Sequence, residues 1–418
     1  MGALLLTLPG ILLRLTGAHP VHWLAALGFG LAIVGAAFLL GWAAEVVQLD
    51  ISAGLALALL ALIAVLPEYA VDFVFTSKAG TNPKEFAPLA LANMTGANQL
   101  LIGVGWSLVV LLAAYRIRTT GVGAGAAEDA TAPASTNTDV ELARTHAVEI
   151  AFLAAATAYG LTLPLRRTIT LFDAAVLVTI FVVYLIRIAK APAEEHELVG
   201  CAAMIGGLPV RRRRLAVAVL FVVAAGIILL CAEHFAESLV ATGEEFGIST
   251  FLLVKWLAPL ASEAPELLIA GMFAWRLNTN AGLGALVSSK VNQWTLLVGT
   301  LPIVFAIASS SMHGLPLDTL QREELFVTAA QSAFAVAILA SRSISVREAK
   351  ILLSLFIVQF VATGALPEAA RGPARVLTGI TYLVLAATQL VAERRAVPAL
   401  MRDGLRTPYA ELVAGEVS

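Results

Sequence analysis

Ten stretches of this chain stay apolar for about the 20 residues an α-helix needs to cross a bilayer. They fall near 22–46, 51–77, 85–114, 147–165, 169–189, 214–232, 249–276, 281–309, 323–341 and 346–364, and an eleventh follows near 375–392. In hydrocarbon every backbone N–H and C=O must be satisfied within its own segment, so runs of this kind are helices. Composition agrees. The 418 residues are 59% hydrophobic and 13% charged, about half the charge of a soluble domain. A soluble fold this apolar could not cover its surface with polar groups. The expectation is an all-α polytopic protein with the lipid bilayer as its solvent, multi-pass in a prokaryotic cytoplasmic membrane.

Several classes have no support. Cys201 and Cys231 lie far apart without CxxC spacing, so neither a disulfide framework nor a zinc site is indicated. The histidines at 19, 22, 146, 196, 234 and 313 form no HExxH pattern. No cofactor loop, catalytic nucleophile or nucleic-acid motif stands out. Residues 1–18 lack a basic leader region and are short for a span. A short or tilted helix and an interfacial one both remain open.

Two polar segments interrupt the series. Residues 116–146 are rich in Gly, Ala, Ser and Thr and read as a flexible loop. Residues 189–214 end in four arginines. Placing that arginine run in the cytoplasm puts most loop bases on the same side, as orientation rules require. The expected organisation is a first half at 1–190, a cytoplasmic linker at 191–213, a second half at 214–364, and an extra helix and tail at 365–418. Each half holds five helices. An odd number makes a second copy enter the membrane the other way round, the arithmetic of inverted-topology repeats.

The halves repeat each other in detail. The first reads "LALALLALIAVLPEYAVDFVFTSKAG" then "LALANMTGANQLLIGVGW". The second reads "LVKWLAPLASEAPELLIAGMFAWRLN" then "GALVSSKVNQWTLLVGTLP". Pro67-Glu68 matches Pro265-Glu266, and Asn98-Gln99 matches Asn292-Gln293. A base follows each Pro-Glu pair at the helix end, Lys78 or Arg276, where a long side chain can snorkel. The proline removes a backbone donor, which frees the carbonyls of Ile63 and Ala261. A bound cation satisfies such carbonyls, and a neighbouring carboxylate adds charge and hard oxygen suited to Ca²⁺, Na⁺ or a proton. Asp72 stands one turn after Glu68, and Glu263 three residues before Glu266. Asn93, Thr95, Asn98 and Gln99, and then Ser288, Ser289, Asn292 and Gln293, offer neutral oxygens. Gly96 permits a break or a close approach. An intramembrane carboxylate costs about 2.5–3.5 kcal/mol at mid-bilayer, which makes Glu68 and Glu266 functional candidates by default. Asp173, at the start of its helix, reads as interfacial.

Pro67-Glu68 followed by Asn93-Met94-Thr95-Gly96-Ala97-Asn98 resembles the alpha-repeat of the cation/Ca²⁺ exchanger superfamily, which includes sodium/calcium and calcium/proton exchangers. Ala97 stands where that pattern has serine, and Ala64-Val65-Leu66 replaces Gly-Thr-Ser. The second repeat diverges further. With Asn98 set on Asn292, Gly96 falls on Lys290. The resemblance implies two inverted five-helix halves, a central site where Glu68 and Glu266 coordinate the exchanged ion, and alternating access. Asp72, Asn93, Asn98, Glu263 and Asn292 are the further expected ligands.

Lys290 has two readings: a structural ion pair with Glu263 or Glu266, or a tethered cation where a relative would bind an ion. The second favours proton coupling or a monovalent substrate. The function expected is secondary antiport of Ca²⁺ or a related cation against H⁺ or Na⁺, with no cofactor beyond the transported ion and no covalent chemistry. A Na⁺/H⁺ antiporter on the same scaffold is the nearest alternative. An intramembrane acid/base enzyme built on the paired carboxylates is the remote one.

Overall fold

A computed structural model describes residues 2–18, 20–47, 49–50, 66–120, 138–190, 198 and 200–414. Ten of its helices are long and apolar enough to cross a membrane: α2 (His22–Val47), α4 (Pro83–Thr120), α5 (Arg144–Leu165), α6 (Leu171–Ile188), α7 (Val210–Phe246), α8 (Thr250–Trp275), α9 (Thr279–Ser309), α10 (Thr319–Ser341), α11 (Val346–Ala365) and α12 (Glu368–Ala392). Three more matter here: α1 (Gly2–Thr16), α3 (Leu66–Thr81) and α13 (Ala396–Leu405). The chain is an all-α polytopic membrane protein. Residues 51–65, the first part of the expected 51–77 helix, and residues 121–137 of the expected flexible loop lie outside the described residues.

Two compact units are formed, each drawing on both halves of the sequence. One comprises Met1–Ala97, Leu185–Pro265 and Thr300–Leu315. Its core joins Phe29, Ile33 and Leu40 of α2 to Phe75 of α3 and to Phe235 and Leu239 of α7. Small residues bring the backbones close, as membrane packing requires. A Cβ on Gly35 would stand 2.5 Å from the Ala3 carbonyl, and one on Gly30 3.0 Å from the Phe235 ring. α1 therefore packs on α2, and its 15 residues span only about 22 Å at 1.5 Å per residue.

α7 corrects the expected 214–232 helix. It runs 37 residues, about 55 Å, and takes in both the arginine run and the polar stretch after residue 232. Phe235, Leu239 and Thr242 continue its buried stripe at helical spacing, so polarity on the other face does not end it. Asp50 receives two bonds from Arg213, at 2.9 and 2.7 Å, and one from Arg214 at 3.2 Å. The arginines thus brace the start of α7 instead of closing a linker, and Arg213 holds the Asp50 carboxyl below the usual carboxylate range.

The other unit comprises Asn98–Tyr184, Glu266–Gly299 and Pro316–Ser418. It contains a second internal repeat, in α5–α6 and α10–α11, running at constant spacing without a gap. Glu149 matches Glu324, Thr157 matches Ser332, Arg167-Thr168-Ile169 matches Arg342-Ser343-Ile344, and Asp173 matches Glu348. The structure repeats with the sequence. Asp173 bonds the backbone N and hydroxyl of Thr170, each at 2.7 Å. Glu348 does the same to Ser345, at 2.8 and 2.6 Å. Each closes a box over the first turn of its helix. Asp173 is fully buried and also takes bonds from Tyr159 and Arg166, so it is an internal cap, not an interfacial acid. The Leu142 amide bonds the Arg342 carbonyl at 2.7 Å, and its repeat mate, the Leu317 amide, bonds Arg167 at 2.8 Å. Beside the first bond, strand Val140–Glu141 pairs antiparallel with Ser343–Ile344. α13 seats on α5 where Gly404 meets the Ala147 carbonyl.

Candidate ion-binding site

In the first unit, Pro67 is a buried residue of α3, and the Ile63 carbonyl expected to lose its helical partner lies outside the described residues. Glu68 and Asp72 follow on the buried face, 3% and 0% exposed. Asn93 of α4, also fully buried, donates from Nδ2 to Asp72 Oδ1 at 2.8 Å. That leaves Asp72 Oδ2 and Asn93 Oδ1 as buried oxygens with no hydrogen-bond donor among the described residues. A buried acceptor without a donor costs about 1–3 kcal/mol, and a cation removes that cost. Glu263 of α8 is 2% exposed.

Gly96 permits close approach and not a break, since α4 runs helically through it. A Cβ there would lie 1.7 Å from the Lys255 carbonyl of α8. Lys255 is itself fully buried, with Nζ 4.6 Å from the Trp256 ring. The sequence reading passed over this lysine, although the same signal that marks Lys290 was present: a charge inside the apolar run "TFLLVKWLAPL". Lys78 is not a free snorkelling anchor. It bonds Glu237 of α7 at 2.7 Å.

In the second unit, α4 and α9 each change from α to π geometry, two residues after Gln99 in the first and at Gln293 in the second. The π segments are Leu101–Trp106 and Gln293–Leu297, and such bulges frequently mark functional positions. Asn98 and Asn292 are buried. Lys290, fully buried, donates to Asn98 Oδ1 at 2.5 Å and to the Asn98 backbone oxygen at 3.2 Å. Its Nζ lies 4.9 Å from the Trp294 ring. The ammonium therefore sits on two oxygens of the kind a cation would use. Glu266 is half-buried, and Ser289 donates to its Oε2 at 2.8 Å. Tyr184 meets Ser288 at 3.2 Å.

Among the contacts that unite expected site residues are Asp72 with Asn93, Asn98 with Lys290, and Glu266 with Ser289. Three partners of Gln99 were not foreseen, because each comes from a distant helix. Thr328 and Glu324 of α10 accept from its Nε2 at 2.7 and 3.3 Å, and Gln359 of α11 donates to its Oε1 at 2.7 Å.

A family model described as sodium/calcium exchanger protein matches residues 21–190 and 216–364. A solved structure of a protein described as the H⁺/Ca²⁺ exchanger CAX is 42% identical, with a TM-score of 0.86, covering 98% of this chain and 96% of that one. The structure of YfkE is 16% identical with a TM-score of 0.58, covering 92% of this chain and 100% of that one. The sodium-calcium exchanger NCX_Mj is 16% identical with a TM-score of 0.51, covering 82% and 99%. At those identities the last two share the fold. A search of curated proteins found no match.

Proposed function

The chain belongs to the sodium/calcium exchanger protein family, and on that premise we propose that it exchanges Ca²⁺ or a related divalent cation for H⁺ across a prokaryotic cytoplasmic membrane. It is a secondary transporter and not an enzyme. Glu68 and Glu266 supply the two charges that hold the ion. Asp72, Asn93, Asn98, Glu263 and Asn292 supply oxygens around them, and alternating access exposes the ion to each side in turn.

The observation that carries this reading is the pair of buried oxygens without a donor among the described residues, Asp72 Oδ2, one turn after Glu68, and Asn93 Oδ1 of the helix bonded to it. Hard, preformed acceptors at membrane depth suit a cation and nothing apolar. Protons are favoured over Na⁺ as the counter-ion on two grounds. The 42% identical relative is described as an H⁺/Ca²⁺ exchanger. Lys290 also occupies the Asn98 oxygens, which leaves fewer places for several Na⁺ ions.

Flux through proteoliposomes under an imposed pH gradient, with Ca²⁺, Na⁺, K⁺ and Mn²⁺ side by side, tests this. Glu68→Gln and Glu266→Gln should each lower Ca²⁺ flux about tenfold or more, since ligand charge sets divalent affinity. The double variant should be little worse than either single, because both act on one ion. Transport like wild type in Glu68→Gln would remove the central claim. Flux of Na⁺ but not Ca²⁺ would replace it with Na⁺/H⁺ antiport.

A further inference from the structure

Gln99 follows Asn98 directly and ends just before the π segment of α4. It is fully buried, and both ends of its amide are hydrogen-bonded. Thr328 donates its own hydroxyl to the Glu324 carbonyl at 2.7 Å, so its oxygen can only accept from Gln99. Glu324 Oε2 also accepts, while Gln359 donates to the opposite end of the amide. The orientation of the Gln99 amide is therefore dictated from both ends. Its backbone carbonyl is held as well, by Gln331 Nε2 at 3.3 Å.

Glu324 is 1% exposed. A base from outside the family-matched region lies at ion-pair distance from it. Arg375 of α12 bonds Glu323 Oε2 through Nη2 at 2.8 Å and Nε at 2.9 Å, and its Nε lies 4.0 Å from Glu324 Oε1. The guanidinium is 11% exposed. α12 is seated for this contact: a Cβ on Gly372 would stand 3.0 Å from Glu323 Oε1, and one on Gly379 2.4 Å from the Phe326 ring.

We propose that Arg375 is a positioning residue for ion exchange: through Glu324, Thr328 and Gln99 it sets the backbone at Asn98, and so the contact between Asn98 and Lys290. The chain runs from the last spanning helix to the Asn-Gln pair of the first alpha-repeat, and all of it lies within one compact unit. It rests on the reading of Asn98 as part of the ion site. It adds a specificity device that the repeat motif does not contain. Partners of this kind orient ligand-bearing groups without touching the ion, and their loss typically lowers metal affinity about 10–100-fold.

The test is the Ca²⁺ concentration dependence of pH-driven flux in proteoliposomes, with folded protein quantified by size exclusion. Arg375→Gln should raise the KM for Ca²⁺ about tenfold while the maximal rate per folded protein changes little, and Arg375→Lys should restore most of it. Adding Glu324→Gln to Arg375→Gln should cost less than the two singles together, because the uncompensated carboxylate is gone. Thr328→Val keeps the shape and removes the Gln99 acceptor together with the hydroxyl's bond to the Glu324 carbonyl within its own helix, and it should shift KM in the same direction. If Arg375→Gln does not fold, Thr328→Val decides alone. A wild-type KM in Thr328→Val overturns the proposal, as does a loss in Arg375→Gln confined to the amount of folded protein. Glu68→Gln in the same vesicles separates the two readings: if it transports normally, the ion site itself is misassigned.

Discussion

Lys290 and Gly96 occupy the same register in the two alpha-repeats, and they solve opposite problems. Gly96 vacates space so that the Lys255 carbonyl can reach α4. Gly96→Ala forces a Cβ into that carbonyl, and the loss should be about 3 kcal/mol or more, the upper end of overpacking. Gly226→Ala faces nothing within 4 Å and should leave stability unchanged. Equal melting temperatures for the two variants would contradict the packing argument. Lys290 fills space with a charge held by Asn98. Removing it as Lys290→Ala or Lys290→Gly should change ion coupling, with Na⁺ gaining the ability to drive Ca²⁺ flux. Unchanged coupling and selectivity would make the lysine structural. Which residues carry charge at depth was legible from the sequence. What each charge touches was not, since Asn98 and Lys290 are nearly two hundred positions apart in the chain.

Among the elements, helix identity was read well and helix length poorly. Hydropathy finds the apolar part of α7 but not its continuation, because the stripe of Phe235, Leu239 and Thr242 is buried by α2 and α3 and not by lipid. The scaffold repeat of α5–α6 and α10–α11 was missed for a related reason. Its signal lies in caps and turns, Thr170 with Asp173 and Ser345 with Glu348, and not in apolar runs. The C-terminal element is held by Arg144, which donates to Asp403 at 2.8 and 3.0 Å. Those bonds keep the Asp403 carboxyl below the ordinary carboxylate range. A carboxylate lowered in the folded state adds stability above its unfolded value near 3.9. That contribution is lost as pH falls through the lower folded value. Asp403→Asn should therefore lower stability by about 1–2 kcal/mol at pH 7, and the gap to wild type should narrow as pH falls below the unfolded value. A gap as large at pH 3 as at pH 7 would rule the ion pair out as the cause.

For the molecule as a whole, the reading turns on which gradient does the driving. A pH gradient alone, with no Na⁺ on either side, should drive Ca²⁺ into vesicles, and collapsing it with a protonophore should stop the flux. Ca²⁺ movement that needs Na⁺ would return the protein to the sodium-coupled branch. The bilayer as solvent, the all-α class and the match between the two Pro-Glu segments were legible in the sequence alone, because each depends on local composition or on a likeness between two segments. The compact units were not accessible that way, since each gathers three separated segments. Nor were the amide lock on Gln99 and the Arg375 contact with Glu323 and Glu324. Those rest on hydrogen bonds and charge pairs between distant helices, and only tertiary packing decides which buried polar groups meet.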